Sequence, residues 1–151
     1  MTTFLIRDAV PADMIALRDV FRRSSLSNDG DRMNLLANPE ALELSDLAVN
    51  EGRTRAPVVG GRIVGFATSG SAGDAIEVED LFVDPGWMGQ GIGRALMLDL
   101  IAIARGRGVR RVEVTANQHA LAFYGKIGFA FDRDAETRFG PAPRMHLDVA
   151  P

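Results

Sequence analysis

A run of glycines follows an apolar stretch near the middle of the chain. The residues Leu81-Phe82-Val83-Asp84-Pro85 precede Gly86, Gly89, Gly91 and Gly93. Because glycine has no Cβ, several backbone N–H groups can turn toward one point, and a bulky anion can approach them. A helix N-terminus adds unpaired donors and a partial positive charge. The spacing therefore predicts a phosphate or pyrophosphate site, although a glycine-rich turn without a ligand has the same composition.

Two known phosphate-binding motifs fit this segment poorly. A P-loop ends in Gly-Lys-Ser/Thr, whereas Gly91-Ile92-Gly93 leads into Arg94 and offers neither lysine nor hydroxyl. A dinucleotide fingerprint spaces its glycines differently and needs parallel βαβ units, although Glu113 lies about 20 residues downstream, where a ribose-binding acid is expected. The antiparallel hairpin predicted upstream conflicts with that fold. Both alternatives are therefore disfavoured.

The second informative segment is Asn117-Gln118-His119-Ala120-Leu121-Ala122-Phe123-Tyr124-Gly125-Lys126-Ile127-Gly128-Phe129. Together with Met88-Gly89-Gln90-Gly91-Ile92-Gly93, it resembles the GNAT superfamily of N-acetyltransferases. The family motifs read Arg/Gln-x-x-Gly-x-Gly/Ala and Asn-x-x-Ala-x-x-Phe-Tyr-x-x-x-Gly-Phe, and the resemblance covers roughly residues 56 to 131. Met88 stands where the family usually has Arg or Gln, so a side-chain contact to phosphate is missing there.

The resemblance implies an enzyme that moves an acetyl group from acetyl-CoA to a small-molecule or peptide amine, by direct attack in a ternary complex. It places the pyrophosphate on residues 88–94, and the pantetheine arm beside strand residues whose N–H groups near Val83 polarise the thioester carbonyl. The implied cosubstrate contacts are Leu81, Phe82, Val83, Met88, Gly89, Gln90, Gly91, Gly93, Arg94, Asn117, Ala120 and Lys126. Asn117 is equally compatible with a plain helix cap. The alternative function is a non-catalytic acyl-CoA-binding or sensing module of the same fold.

Amine attack needs a base for the nucleophile and an acid for the departing thiolate. Tyr124, the single tyrosine of the chain, occupies the family's general-acid position. Helical spacing predicts that Phe123 packs into the core while Tyr124 turns toward the cleft; core packing of Tyr124 with Phe123 and Phe129 is the other interpretation. Glu77 and Glu79 lie two apart on a predicted strand, so they share a face. They are the candidate bases, unless they form a solvated face or act through water.

Periodicity and turn residues indicate the elements that must hold these groups. Helices are predicted after Pro11, from residue 41 to near Gly52, over residues 91–107 and over residues 119–127. Strands are predicted at residues 3–7, 56–59, 62–67, 75–83, 110–115, 129–131 and 145–149, with turns at residues 60–61 and 70–74. The pattern predicts a single α/β domain over residues 1–151, GNAT-like, in which helices flank a central mixed, mostly antiparallel sheet.

The composition of the chain excludes several kinds of site and partner. The chain has 151 residues, no cysteine, two histidines and a net charge of −3. Disulfides, thiolate sites and histidine-rich metal clusters are therefore excluded, and the basic footprint of a nucleic-acid binder is missing. No apolar run is long enough for a membrane span. We expect a cytoplasmic protein without metal, nucleic-acid or membrane partners, and a homodimer is possible. The acidic stretch over residues 24–52 favours a cationic amine as the acceptor.

Overall fold

The computed structural model describes residues 3–27 and 29–149, which fall into two compact units. The first unit contains the residues up to Thr68 together with Asp80–Met97, and the second contains Ser69–Glu79 together with the residues from Leu98 onward. The helices are α1 (Met14–Leu26), α2 (Asp29–Ala37), α3 (Leu47–Asn50), α4 (Ile92–Gly106) and α5 (Leu121–Ile127). The strands are β1 (Leu5–Asp8), β2 (Thr54–Val59), β3 (Arg62–Ile63), β4 (Gly65–Ala72), β5 (Ala75–Val83), β6 (Arg111–Thr115), β7 (Ala130–Thr137) and β8 (Gly140–Asp148). Strands β4 and β5 and helix α4 contribute residues to both units.

In the first unit the strand order is β1–β2–β4–β5, and the pairs β1–β2 and β2–β4 are antiparallel. The short strand β3 pairs with β2 across Gly60 and Gly61, whose φ angles of 54° and 81° suit a tight hairpin turn. This confirms the predicted hairpin, but the second predicted strand is interrupted at Val64. Strand β4 then begins with Gly65, where a Cβ would lie only 2.7 Å from the carbonyl oxygen of Phe82 on β5. A larger residue would therefore separate the two strands.

The core of the first unit is built on one face of α1. Leu17 and Val20 are fully buried there, which confirms the helical spacing predicted after Pro11, although Pro11 itself opens a 3₁₀ turn. The rings of Phe21, Phe66 and Phe82 contact one another, with centroid distances between 5.0 and 6.4 Å. Because Phe82 lies near the end of β5, this aromatic contact holds the strand end that leads into the glycine-rich segment.

The segment between α1 and β2 differs from the sequence prediction. Helix α2 is not predicted, and the helix predicted from residue 41 to near Gly52 forms only over Leu47–Asn50. A 3₁₀ turn over Pro39–Leu42 and the short helix α3 take its place. Leu42 is buried and Leu44 packs on the core, two residues apart, with extended backbone at Glu43 (φ −87°, ψ 130°). That spacing suits an extended chain, so a period of two was mistaken for a helical stripe.

In the second unit the strand order is β4–β5–β6–β8–β7. Strands β5 and β6 run parallel, with residues 75–78 opposite residues 111–114, and α4 supplies the crossover between them. The pairs β6–β8 and β7–β8 are antiparallel. Strand β7 ends the order and is exposed along nearly its whole length, with a bulge between Phe131 and Arg133. The predicted mixed α/β fold with a mostly antiparallel sheet is confirmed.

Three strands run further than predicted. β4 extends to Ala72, so the predicted turn at residues 70–74 shrinks to Gly73 and Asp74. The closing strands β7 and β8 are longer because Pro141 and Pro143 are tolerated inside β8. They occupy alternate positions, so both missing N–H groups face one edge of the strand. The Ala116 N–H donates to the Pro143 carbonyl at 2.8 Å, which places that edge beside the end of β6.

Candidate functional site

The glycine loop (residues 86–91) lies in the first unit between β5 and α4. Gly89 and Gly91 both have φ of 79°, a left-handed conformation that favours glycine, while a Cβ at either position would meet nothing within 4 Å. Glycine is therefore favoured at both positions by the backbone conformation and not by a lack of space for a side chain. Met88 is 65% exposed, so the loop is open to solvent. The first turn of the 15-residue helix α4 follows directly and leaves N–H groups without helical acceptors.

Asp84 anchors the start of the glycine loop. Its carboxylate is 1% exposed and accepts two hydrogen bonds from Arg23 of α1, at 2.9 and 2.6 Å. Oδ1 also accepts the N–H of Gly86 at 3.0 Å, and Arg62 lies 3.5 Å from Oδ2. Burial alone raises the pKa of the Asp84 carboxyl, but the hydrogen bonds and positive charges outweigh it, so the pKa lies below its ordinary value.

The cosubstrate contacts implied by the resemblance are divided between the two units. The first unit holds Leu81, Phe82 and Val83, which are half-buried on β5, together with Met88, Gly89, Gln90, Gly91, Gly93 and Arg94. The second unit holds Asn117, Ala120 and Lys126. Asn117 precedes a 3₁₀ turn and its side chain makes no capping hydrogen bond, so its interpretation as a side-chain cap is wrong. Asn117 and Lys126 are exposed.

Glu77 of the second unit is held in an ion pair that the sequence does not reveal. Arg144 of β8 donates to both of its carboxylate oxygens, at 2.6 and 2.8 Å. The same guanidinium donates to Glu113 at 2.7 Å and to Thr115 at 3.0 Å. We call Glu77, Glu113, Thr115 and Arg144 the charged sheet face. The hydrogen bond and charge of Glu77 are the main reason that the pKa of Arg144 is raised, so the guanidinium stays charged.

The other predicted base, Glu79, is exposed two residues further along β5. The strand ladder explains why Glu77 and Glu113 meet, because they are directly opposite in the parallel pair β5–β6. Arg144 is opposite Thr115 in the neighbouring pair β6–β8. Like charges placed opposite each other on a sheet repel, and the guanidinium offsets this repulsion.

Tyr124 is more buried than the sequence analysis expects. Its side chain is 5% exposed, whereas Phe123 is only half-buried, so the predicted division of roles between the two rings is wrong. The Tyr124 ring makes edge contacts with Phe123 and Phe129, at centroid distances of 5.0 and 5.3 Å. Burial raises the pKa of Tyr124 to about 12, so the phenol is protonated at neutral pH. Tyr124 therefore packs in the core of the second unit, and its hydroxyl carries a proton at neutral pH.

A second pair that the sequence does not single out lies on β7 and β8. Asp132 occupies the β-bulge between Phe131 and Arg133, and its carboxylate reaches Nδ1 of His146 at 2.6 Å. Bulges redirect side chains, which explains why residue 132 can reach a neighbour that is not its ladder partner. His146 is in turn directly opposite Glu113 on β6.

Membrane spans and metal sites can be assessed over the residues that the structure describes, 3–27 and 29–149. Within them, none of the helices combines the length and apolar character that a membrane span requires. In the same part of the chain, no three acidic, histidine or cysteine side chains are arranged to hold a metal ion.

Residues 17–129 match the Acetyltransferase (GNAT) family, and the chain belongs to this family. It is 33% identical over 126 residues to glucosamine 6-phosphate N-acetyltransferase of Trypanosoma brucei brucei, covering 73% of this chain and 86% of that protein. It is 34% identical over 134 residues to the chloroplastic serotonin N-acetyltransferase 2 of Oryza sativa subsp. japonica, covering 85% of this chain but only 62% of that protein.

A solved structure shows that a known protein shares this fold. The PaiA N-acetyltransferase of Thermoplasma acidophilum, solved in complex with coenzyme A, superposes with a TM-score of 0.78. The sequences are 16% identical, and the match covers 97% of this chain and 99% of that one. The resemblance found from the two sequence motifs is therefore confirmed, together with the GNAT-like fold.

Proposed function

We propose that the protein transfers the acetyl group of acetyl-CoA to a primary amine. The observation that carries this proposal is the glycine loop, in which Gly89 and Gly91 hold left-handed conformations directly before helix α4. Such a loop offers converging N–H groups and the positive end of a helix to a pyrophosphate. That a family member of similar fold is solved with coenzyme A supports the choice of ligand.

In the proposed complex the pyrophosphate lies on the backbone of residues 88–91 and the first turn of α4. The pantetheine arm pairs with the backbone of Leu81, Phe82 and Val83 like an added strand. Asn117, Ala120 and Lys126 provide further contacts. Arg94, exposed in the first turn of α4, supplies the positive charge that Met88 does not. The N–H near Val83 polarises the thioester carbonyl.

The proposed reaction is a direct attack in a ternary complex. The amine nitrogen forms a bond to the thioester carbon, the carbon–sulfur bond breaks, and the electron pair leaves with sulfur. Tyr124 donates its proton to the thiolate, since burial, which raises its pKa to about 12, keeps the phenol protonated at neutral pH. A base removes the proton that the attacking nitrogen releases.

Of the two candidate bases, we assign the role to Glu79, because its side chain is exposed and lies two residues nearer the end of β5 that leads into the glycine loop. Glu77 is a weaker candidate because both of its oxygens accept hydrogen bonds from Arg144, so they are already engaged by another side chain. Glu79→Gln should lower turnover at neutral pH by roughly 10²–10⁴-fold, with a smaller defect at high pH. Glu77→Gln is the matched control, and an equal loss in that variant would reassign the base.

The acceptor is proposed only as a class. The two curated relatives are named for serotonin and for glucosamine 6-phosphate, which share a primary amine and little else. The acidic stretch over residues 24–52 favours an amine that carries positive charge. A cationic amine, either a small molecule or a peptide, is therefore the proposed acceptor.

One observation favours a second candidate, a non-catalytic acyl-CoA-binding module. The ion pair with Arg144 occupies Glu77, so one predicted base is engaged. Thermal shift with coenzyme A, ATP and NAD tests the ligand, and we expect stabilisation by coenzyme A alone. Thiol release from acetyl-CoA across a panel of amines then separates the candidates. Binding without turnover on any amine supports the second one, and stabilisation by ATP or NAD instead of coenzyme A contradicts both.

A further inference from the structure

The ion pair between Arg23 and Asp84 joins α1 to the start of the glycine loop, across 61 positions of the chain. The two hydrogen bonds run side by side from the guanidinium nitrogens to the two carboxylate oxygens. Such a bidentate geometry fixes the orientation of the carboxylate as well as its position. Because the Asp84 side chain is 1% exposed, water does not compete for it.

Asp84 passes this fixed orientation to the loop backbone. Its Oδ1 accepts the N–H of Gly86 at 3.0 Å, and its carbonyl accepts the N–H of Trp87 at 2.8 Å. Its own N–H donates to the carbonyl of Val64 at 2.9 Å, which ties the same residue to the break between β3 and β4. The first turn of the loop, Pro85–Trp87, is therefore built on Asp84.

We propose that Arg23 is a positioning residue for the cosubstrate, which acts by orienting Asp84 and through it the backbone of the glycine loop. The inference rests on the proposed function, because it takes the loop to bind the pyrophosphate. Without Arg23 the buried carboxylate keeps only Arg62, at 3.5 Å, as a cationic partner among the described residues. A buried carboxylate that loses its main partner either takes up a proton or moves toward water, and either change weakens the hydrogen bond to Gly86.

A second ion pair in the same unit provides a matched control. Arg7 donates to both oxygens of Asp13, at 2.8 and 3.1 Å, and Oδ2 of Asp13 also accepts the N–H of Val10 at 2.8 Å. This arrangement repeats that of Arg23, Asp84 and Gly86, with one guanidinium, one carboxylate and one backbone N–H. It holds the N-terminal side of α1 rather than the glycine loop.

The test compares Arg23→Met with Arg7→Met. Both variants should unfold at a lower temperature, but only Arg23→Met should weaken coenzyme A, at least tenfold by calorimetry on folded protein. Amide hydrogen exchange supplies a readout without ligand. In Arg23→Met, exchange should accelerate at Gly86 and not at Val10. In Arg7→Met, it should accelerate at Val10 and not at Gly86.

Two further variants keep the test decisive if Arg23→Met does not fold. Arg23→Lys keeps the charge but loses the paired hydrogen bonds, so we expect an intermediate loss of affinity. In Arg23→Ala, added guanidinium ion should raise the affinity for coenzyme A at least threefold. Arg23 lines a cavity of about 270 Å³ beside Asp19 and Arg62, which gives the small cation a route to Asp84.

The outcomes separate this inference from the proposed function. Equal affinity for coenzyme A in Arg23→Met and Arg7→Met, or unchanged exchange at Gly86, overturns the positioning role. If the wild-type protein fails to bind coenzyme A while Gly86 exchange still accelerates in Arg23→Met, Arg23 does position the loop, and the proposed function is what fails.

Discussion

The glycine loop of the first unit and the ionisable side chains of the second unit offer different kinds of groups to a ligand. In the loop the useful groups are backbone N–H donors, which do not titrate, and the nearby charges of Asp84 and Arg23 hold that backbone in place. In the second unit the groups proposed to act are side chains, Tyr124 as the acid and Glu79 as the base. Changes in the loop should therefore alter affinity, whereas changes in the second unit should alter rates and pH dependence.

The largest expected effect concerns the hydroxyl of Tyr124. Tyr124→Phe removes the proton donor and keeps the ring that contacts Phe123 and Phe129. Acetyl transfer should fall by roughly 10²-fold or more, while affinity for coenzyme A stays within a few-fold. Single-turnover kinetics with a working amine measures the transfer step.

Phe123→Leu is the control, because it disturbs the same ring contact without touching a proton donor. We expect its transfer rate per folded molecule to stay near that of the wild type. A full transfer rate in Tyr124→Phe would instead mean that Tyr124 is a packing residue. It would contradict the expectation that changes in the second unit alter rates.

A loop variant should show the opposite pattern. Gly91→Val forces a β-branched residue into φ of 79°, a strain of order 1–3 kcal/mol that the loop relieves by changing shape. Affinity for coenzyme A should fall by roughly 10- to 100-fold, with little change in the transfer rate at saturation. Gly61→Val introduces similar strain at φ of 81° in a hairpin of the same unit, and it should not change the affinity. Similar loss in both variants would mean that general destabilisation explains the effect.

The next effect is a loss of stability at alkaline pH. The pKa of Tyr124 is about 12 in the folded protein and ordinarily near 10, so the unfolded chain loses this proton first. The stability present below pH of about 10 is therefore lost as pH rises toward about 12, by up to roughly 2–3 kcal/mol. Urea unfolding between about pH 9 and 11.5 measures the loss, and Tyr124→Phe should remove this component. Since Tyr124 is the single tyrosine, tyrosinate absorbance reports its ionisation directly, and a midpoint near 10 would contradict the burial effect.

The smallest effect is expected on the charged sheet face. The side chains of Arg144, Glu77 and Glu113 are 20–24% exposed, so water shares in solvating them. Arg144→Met should lower the free energy of unfolding by about 1 kcal/mol at low salt. Adding Glu77→Gln should recover part of that loss, because it removes one of two opposed charges. If Arg144→Met lowered the free energy of unfolding as much as Arg23→Met does, the charged sheet face and the Arg23–Asp84 ion pair would contribute equally to stability.

The local features of the loop could be predicted from sequence because each is dictated by one residue type. Gly89 and Gly91 adopt a backbone conformation that other residues avoid, and Gly128, with φ of 121°, ends α5 as predicted. Strand β5 was predicted with its observed bounds, because turn residues delimit it, Gly73-Asp74 before it and Asp84-Pro85 after it. These signals need no knowledge of what lies opposite.

The networks could not be predicted because they depend on register between distant segments. Arg144 meets Glu77 across 67 positions, and only the pairing of β5 with β6 and of β6 with β8 aligns them. Arg23 and Asp84 are likewise brought together by tertiary packing. Asp84 carries a partial local signal, as an acid between an apolar strand and Pro85. The burial of Tyr124 followed from packing around Phe129, which helical spacing alone does not define.

The exposed strand β7 has a consequence for crowded solutions. An unpaired strand edge invites addition of an identical strand, the first step toward fibrous aggregates. Antiparallel self-pairing centred between Asp134 and Glu136 has three registers, and these oppose Asp134 with its own copy, Asp134 with Glu136, or Glu136 with its own copy. Each register brings two acidic side chains face to face, which is destabilising. The open edge therefore carries its own protection against stacking.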